Sequence, residues 1–157
     1  MSIPRTRLGS TGLAVSRLAL GTMTFGLQTD EATSQRILDK ALGAGVDFID
    51  TADVYPLGGT LANVGETEAI IGRWLQAGGP QRRQAVVLAT KAVGRMGPHP
   101  WNQGASRKHL LAAKKEVAAS AAIEVIGIAR GCSFYHGYRH PAALKMFAAS
   151  WRSLFYV

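Results

Sequence analysis

Three side chains with acid–base chemistry follow two apolar runs of this 157-residue chain. Asp50 ends the run Phe48-Ile49, and Tyr55 comes five residues later, beside a proline and glycines that favour a turn. Lys91 ends the second run, residues 85–90. In parallel α/β folds, active sites form where loops gather at strand ends, so we expect the three side chains to share one face. A cation beside a phenol favours the phenolate, which would make the phenol a proton donor; each residue alone also fits a plain surface position.

The surrounding sequence alternates strand-like and helix-like segments. Residues 7–17 alternate apolar and polar side chains around glycines, which predicts a β-hairpin. A buried strand is expected over residues 18–20, closing at Gly21. Start signals at 30–31 and 65–66 predict two helices. Their buried stripes are expected to be Ile37, Leu38, Ala41 and Leu42 in the first helix, and Ile70, Ile71, Trp74 and Leu75 in the second.

The order strand, helix, strand, helix, strand predicts a parallel sheet with right-handed crossovers. The second helix is expected to stop at Gly78-Gly79-Pro80, and residues 81–84 to lead into the third strand. Residues 94–104, which include Trp101 and Asn102, form a long loop after that strand. The loop either shapes a substrate site over the same face or is a plain connection. Ser106 is expected to cap a third helix.

Six separated motifs occur in a specific order along the first two thirds of the chain. They are residues 7–16, 18–26, 45–55, 65–68, 88–91 and 106–109. In this order and spacing the chain resembles the N-terminal half of an aldo-keto reductase, over about residues 5–113. Six motifs in the right order are far more specific than a lone glycine pattern.

The resemblance implies an α/β fold, a partial (β/α)8 TIM barrel with the first three to four βα units preceded by an N-terminal β-hairpin. A complete barrel needs roughly 250 residues, so this chain would supply about half of one. We therefore expect residues 1–113 to form an aldo-keto-reductase-like half-barrel. The exposed sheet edges of a half-barrel would favour self-association.

The resemblance also implies a function, an NADP(H)-dependent oxidoreductase that reduces aldehydes and ketones to alcohols. NADPH would be the cofactor and a small-molecule carbonyl compound the substrate. By motif position, Tyr55 would donate the proton, Lys91 would be its electrostatic partner, and Asp50 would pair with the lysine. The residues expected to bind the cofactor near its nicotinamide ribose are Gly21, Thr22, Met23 and Asp50.

Other ionisable residues are expected to play lesser parts. We interpret Asp53 as a loop or turn residue rather than a catalyst. Residues 107–109 could meet a phosphate, although a solvated helix face is the preferred interpretation. The family's catalytic histidine would fall near Cys132, and neither His136 nor His140 lies in a matching motif, so we assign that role to no residue.

Residues 114–157 depart from the family pattern and form a second predicted segment. A strand is predicted over 123–129 and an amphipathic helix over 141–156. That helix would cover the open edge of the sheet, or lie on a membrane surface or a partner. A frameshift or truncated gene would explain the departure, a hypothesis rejected if the alternate reading frame encodes no barrel-like continuation.

The amino-acid composition argues against disordered, disulfide-linked, secreted and membrane-spanning proteins. The chain is 47% apolar and 18% charged, as in globular rather than disordered proteins. A single cysteine, Cys132, allows no intrachain disulfide and no multi-cysteine metal site, so no metal is expected. We find no signal-peptide core and no apolar run near the 18 residues of a membrane span, and we expect a cytoplasmic protein.

Two alternatives to a reductase remain open. The first is a non-catalytic fragment or interaction module that completes a barrel with another chain. The second is a nucleic-acid or membrane-surface protein, suggested by the net charge of +8. From residue 106 onward there are 8 Lys/Arg against 2 Asp/Glu, so most of the excess lies in a region that largely departs from the family pattern, and we do not predict nucleic-acid binding.

Overall fold

The computed structural model describes residues 3–10, 12–113 and 128–129. In chain order the elements are β1 (Arg5–Arg7), β2 (Ala14–Ser16), β3 (Ala19–Gly21), α1 (Glu31–Gly43), β4 (Phe48–Asp50), α2 (Glu66–Gln84), β5 (Val87–Lys91) and β6 (Ile128–Ala129). Residues 107–113 are also helical. β1 and β2 pair antiparallel, which confirms the predicted hairpin.

The remaining strands form one parallel sheet in the order β3-β4-β5-β6. Its register aligns Gly21 with Asp50, and Asp50 with Ala89. The carboxyl ends of three strands therefore form one row, with Lys91 two residues beyond it on β5. This arrangement confirms the predicted α/β class with a parallel sheet. The strands described do not close into a barrel.

The first helix begins where the sequence predicted. Asp30 is its N-cap, and Asp30 Oδ1 accepts a 2.8 Å hydrogen bond from the Thr33 N–H. Such a cap satisfies a backbone donor that the first turn would leave unpaired. Leu38 is buried, with Ile37 and Leu42 packed beside it against the core. The helix therefore presents the apolar stripe expected from its 3.6-residue period.

A hydrophobic core joins the two long helices to the sheet. Its buried members are Phe25, Leu38, Ile49, Ile70, Ile71, Trp74, Leu75 and Val86. All four residues predicted to face inward from α2 belong to it. The Trp74 indole also donates a 2.7 Å hydrogen bond to Asp39 Oδ1 on α1, so its N–H is satisfied although the ring is buried.

The predicted end of α2 was only partly right. Gly79 has a non-helical backbone (φ 65°, ψ −167°), but after this kink the helix resumes at Pro80 and continues to Gln84. Proline suits the first position of a helical segment, because its missing N–H would have no partner there. Arg82 turns back and donates a 2.6 Å hydrogen bond to the carbonyl of Trp74, which holds the two segments together.

The expectation of a buried first strand was wrong. Ala19 and Gly21 are exposed and Leu20 is half-buried, and Leu18 just before them is 60% exposed. The reason is position, because β3 is the edge strand of the parallel sheet and pairs there with β4 alone. Within the residues the structure describes, the strand therefore lacks the neighbour that a closed barrel would provide.

Predictions for the divergent segment fall mostly outside the described residues. Of the strand expected over 123–129, Ile128–Ala129 is described, and it pairs with Thr90 and Lys91 of β5. The helix expected over 141–156 and the boundary between 113 and 114 lie beyond what the structure describes, and they stay predictions. Among the helices it does describe, none has the length and apolar character needed to cross a membrane.

Candidate active site

Asp50 and Lys91 meet at the carboxyl edge of the parallel sheet. Lys91 Nζ donates hydrogen bonds to Asp50 Oδ2 at 2.7 Å and to the Thr51 carbonyl at 2.6 Å. The side chains keep 19% and 30% of their accessible surface, for the lysine and the aspartate respectively. A partly buried ammonium needs such compensation, so the carboxylate and carbonyl fix both its charge and its position.

Tyr55 lies in the loop that follows β4, above the same lysine. Its N–H bonds the Ala52 carbonyl at 3.1 Å, and its own carbonyl accepts from the Gly65 N–H at 3.0 Å. Lys91 Nζ lies 5.1 Å from the centre of the half-buried phenol ring, within the range of a cation–π interaction. The fold thus brings together the three side chains that the sequence singled out as catalytic.

The loop after β3 borders this group. Thr22 is fully buried, and its N–H and hydroxyl both bond the Asp50 carbonyl, at 3.1 and 2.9 Å. Met23 is 46% exposed, and its carbonyl accepts a 2.8 Å hydrogen bond from the Leu57 N–H. A Cβ placed on Gly21 would meet no atom within 4 Å. The loop therefore uses Thr22 to hold its shape and leaves open space beside Gly21.

This constellation of strand-end acid, lysine and loop tyrosine accompanies a clear match to known proteins. The family model described as "Aldo/keto reductase family" matches residues 17–125. The chain belongs to the aldo/keto reductase family. The resemblance inferred from six motifs is confirmed, and the site described above lies wholly within the matched region.

Three relatives of this aldo/keto reductase family member show how much of a related protein the chain covers. An uncharacterized oxidoreductase of Bacillus subtilis (strain 168), YrpG, is 59% identical over 86 residues, 55% of this chain and 25% of the relative. Protein tas of Escherichia coli (strain K12) is 40% identical over 88 residues, 56% of this chain and 25% of the relative. The holo-form structure of an aldo-keto reductase from Bacillus halodurans is 31% identical, with a TM-score of 0.60, covering 76% of this chain and 37% of that one. The chain thus spans well under half the length of each of these relatives.

Two carboxylates of this aldo/keto reductase family member are buried, which the sequence did not predict. Asp53 is 2% exposed, and its N–H bonds the Lys91 carbonyl at 3.0 Å. Glu68 is 3% exposed, and its Oε1 accepts a 2.5 Å hydrogen bond from the Thr90 hydroxyl. Asp53 is in a turn, as expected, but a buried one. Glu68 lies in the first turn of α2, where an acidic residue by itself suggests solvent exposure.

The third helix differs from expectation at one of its three basic residues. Arg107 and Lys108 are exposed, as a solvated helix face requires. His109 is only 4% exposed, so that interpretation was wrong for the histidine. Its N–H bonds Ser106 Oγ at 3.2 Å, which confirms the predicted cap. Three residues are less than one helical turn, which is too short a stretch for periodicity to indicate which of them is buried.

A network of three charged residues joins the two long helices. Arg73 joins the amino ends of α1 and α2 by donating to Glu31 at 2.7 Å and to Glu66 at 2.8 Å. The Arg73 guanidinium lowers the pKa of Glu31, and the two carboxylates raise the pKa of Arg73. All three are more than a third exposed, so the network contributes at most about 1 kcal/mol.

The residues described contain no cluster of three or more His, Cys, Asp or Glu side chains that could hold a metal ion. The charged groups at the site are instead Asp50 and Lys91, already paired with each other. What this arrangement can do chemically is present a phenol beside a fixed ammonium at the open end of a sheet.

Proposed function

We propose that this chain carries the proton-donor part of an NADPH-dependent reductase that converts aldehydes or ketones to alcohols. The observation that supports the proposal is the position of Lys91, which is hydrogen-bonded to Asp50 and lies 5.1 Å from the Tyr55 ring. Family membership and the oxidoreductase name of the B. subtilis relative agree with it.

The Tyr55 phenol and the Lys91 ammonium would have different roles in the reaction. Reduction turns the carbonyl oxygen into an alkoxide, which must gain a proton. Tyr55 would donate that proton, and Lys91 would stabilise the negative charge on the phenolate and the substrate oxygen. Asp50 would hold Lys91 in place. Because these groups are fixed before substrate binds, little reorganisation is needed during the reaction.

A nicotinamide nucleotide fits the residues at the end of β3. Open space lies beside Gly21, and Asp50, its partner in the strand register, keeps 30% of its side-chain surface exposed. When bound, the cofactor supplies the hydride. Gly21, Met23 and the half-buried Asp50 carboxylate would contact its ribose, whereas the buried Thr22 would position the loop. The choice of NADPH over NADH rests on the family resemblance.

The test is a pair of measurements on the purified chain. A cooperative thermal transition that rises with saturating NADPH would show binding, and oxidation of NADPH with benzaldehyde would show turnover. Tyr55→Phe should abolish turnover and leave the melt unchanged, since it removes only a hydroxyl. Tyr138→Phe, which removes the same atom elsewhere in the chain, is the matched control. Full turnover by Tyr55→Phe would refute the proposed role.

A second candidate function is an interaction module that associates through β3. It is favoured by the exposure of Leu18 at 60% and by the edge position of the strand. Sedimentation equilibrium of the chain with Leu18→Lys beside wild type would separate the candidates. A dimer that the substitution dissociates would support the module, whereas a monomer with turnover would support the reductase alone.

A further inference from the structure

The loop that carries Tyr55 is bonded to the loop that follows β3. The two loops join at Leu57, whose backbone polar groups are both used. The Leu57 N–H donates a 2.8 Å hydrogen bond to the Met23 carbonyl. The Leu57 carbonyl accepts a 2.9 Å hydrogen bond from Gln28 Nε2. The loop proposed to bind the cofactor therefore holds the proton-donor loop two residues beyond Tyr55.

Side-chain packing contributes little at this junction. Leu57 is 48% exposed, and Leu27, which precedes Gln28, is 47% exposed. Side chains that remain in water to this extent bury little of the apolar area that fixes a segment elsewhere. The position of Leu57 therefore depends largely on its two hydrogen bonds.

Gln28 is presented by a well-supported backbone. Its N–H bonds the Thr24 carbonyl at 3.1 Å, within a turn. That turn is attached to α2, because the Thr67 hydroxyl donates a 2.6 Å hydrogen bond to the carbonyl of the buried Phe25. A Cβ added to Gly58 would lie 3.7 Å from Gln28 Nε2, so the side-chain amide lies directly against the proton-donor loop. Gln28 itself is exposed, and burial therefore does not account for its hydrogen bond.

A single residue, Pro56, separates Leu57 from Tyr55. Pro56 is buried, and a proline ring restricts rotation about φ, so a shift of Leu57 is passed on to the Tyr55 backbone. The position of a proton donor affects the rate strongly, since a displacement of about 1 Å at a reacting group can cost about 10²-fold.

We propose that Gln28 is a positioning residue, which sets Tyr55 for proton transfer by bonding the Leu57 carbonyl. The inference rests on the proposed function and adds a residue to its site. Gln28 acts through Leu57 and Pro56 rather than on the substrate. A role confined to the shape of the cofactor loop would change NADPH binding instead of the proton-transfer step.

The first experiment removes the donor and then restores it. Gln28→Met keeps the length of the side chain, and it should lower kcat for benzaldehyde about tenfold while KM for NADPH stays within about twofold. The thermal transition should not move, because the residue is exposed. Gln28→Lys supplies a donor again and should recover most of kcat. Gln35→Met, which removes an amide that bonds Glu31 at 3.0 Å on α1, is the matched control.

The second experiment needs no turnover. The chain is labelled with 3-fluorotyrosine, and the Tyr55 signal is assigned by its absence in Tyr55→Phe. Fluorine NMR should show one narrow Tyr55 line in wild type, a broadened or split line in Gln28→Met, and a narrow line again in Gln28→Lys. Hydrogen exchange of the Leu57 amide should be severalfold faster in Gln28→Met, since the two loops would separate more often.

The outcomes separate this inference from the proposed function. If wild type does not reduce benzaldehyde, but the Tyr55 line and the Leu57 exchange rate respond to Gln28→Met and recover in Gln28→Lys, the positioning of Tyr55 by Gln28 stands and the reductase proposal fails. If turnover occurs and Gln28→Met raises only KM for NADPH, Gln28 shapes the cofactor loop alone and the inference is refuted. An unchanged Tyr55 line in Gln28→Met would also refute it, with or without turnover.

Discussion

Lys91 Nζ and Asp50 Oδ2 are joined by a 2.7 Å hydrogen bond between residues 41 positions apart in the chain. The two residues reach each other because β4 and β5 are adjacent and parallel, with Asp50 aligned to Ala89. The bond couples the last residue of one strand to the last residue of the next. It also fixes the ammonium 5.1 Å from the Tyr55 ring.

Breaking this pair from either side should cost both activity and stability. Asp50→Asn leaves the lysine without a counter-charge, and Lys91→Met leaves the carboxylate without one. Each should lower turnover by about 10²-fold or more, since each disturbs the charge at the proton donor. Each should also lower the free energy of unfolding by about 1–3 kcal/mol.

A double-mutant cycle decides whether the two residues act as one unit. Asp50→Asn combined with Lys91→Met should be little worse than either single variant, both in turnover and in urea unfolding. Strictly additive losses would mean that the hydrogen bond carries no coupling and would contradict the assignment.

Gly21→Ala should weaken cofactor binding without weakening the fold. The added methyl meets no protein atom within 4 Å, so the free energy of unfolding should change by less than about 0.5 kcal/mol. The same methyl would occupy space proposed for the cofactor ribose, and NADPH titration should show a severalfold higher Kd. Gly43→Ala, equally uncrowded but at the end of α1, is the control. Equal Kd values in the two variants would place the cofactor elsewhere.

Alanine at Gly26 is expected to lower the free energy of unfolding more than alanine at Gly12 does. Both have positive φ, 92° and 78°, so alanine at either should cost about 1–2 kcal/mol. At Gly26 the new Cβ would also lie 2.8 Å from Glu66 Cγ, whereas at Gly12 it would meet nothing. Chemical unfolding should therefore show a loss about 1–3 kcal/mol larger for Gly26→Ala. Adding Glu66→Ala should recover part of that loss, and no recovery would rule out the contact as its cause.

Asp47 bonds Ser16 and Arg5 of the hairpin, and this attachment should make the stability of the fold depend on pH in the acid range. Burial opposes its ionisation, but hydrogen bonds from the Ser16 N–H and from Arg5 outweigh that effect and hold the pKa of Asp47 below its ordinary value. A lowered folded-state pKa contributes stability above the unfolded value, which is lost as pH falls through the folded one. Thermal melts from pH 6 down to pH 3 should show a smaller decline for Asp47→Asn than for wild type.

The neighbouring arginine provides the control for that pH profile. The Arg5 side chain is 56% exposed. Removing it leaves the hydrogen bond from the Ser16 N–H to Asp47 in place. Arg5→Ala should therefore keep most of the acid-dependent decline. If Arg5→Ala flattened the profile as fully as Asp47→Asn, the ion pair rather than the backbone hydrogen bond would be the main cause.

Features with a local cause could be predicted from the sequence. The hairpin follows from alternating side chains, the start of α1 from Asp30, and the buried face of α2 from apolar residues at helical spacing. The positions of Asp50, Tyr55 and Lys91 past strand ends could be read in the same way. Each of these depends on residues within about two turns or one strand of each other.

Features that depend on packing between distant segments could not be predicted from the sequence. β3 is exposed because it is the edge of the described sheet. His109 is buried although it stands beside two solvated basic residues. No pattern within a short window records which surfaces will be covered.

The sequence alone determined the family, the order of strands and helices, and the residue types available for proton transfer, because these are properties of motifs and of local periodicity. Only the tertiary structure decided which of those residues meet. The approach of Lys91 to Asp50, the burial of Glu68 against Thr90, and the stacking of His99 on Trp101 depend on the strand register and on loop closure. Such contacts are set by packing between distant segments, whose free energy no single segment contains.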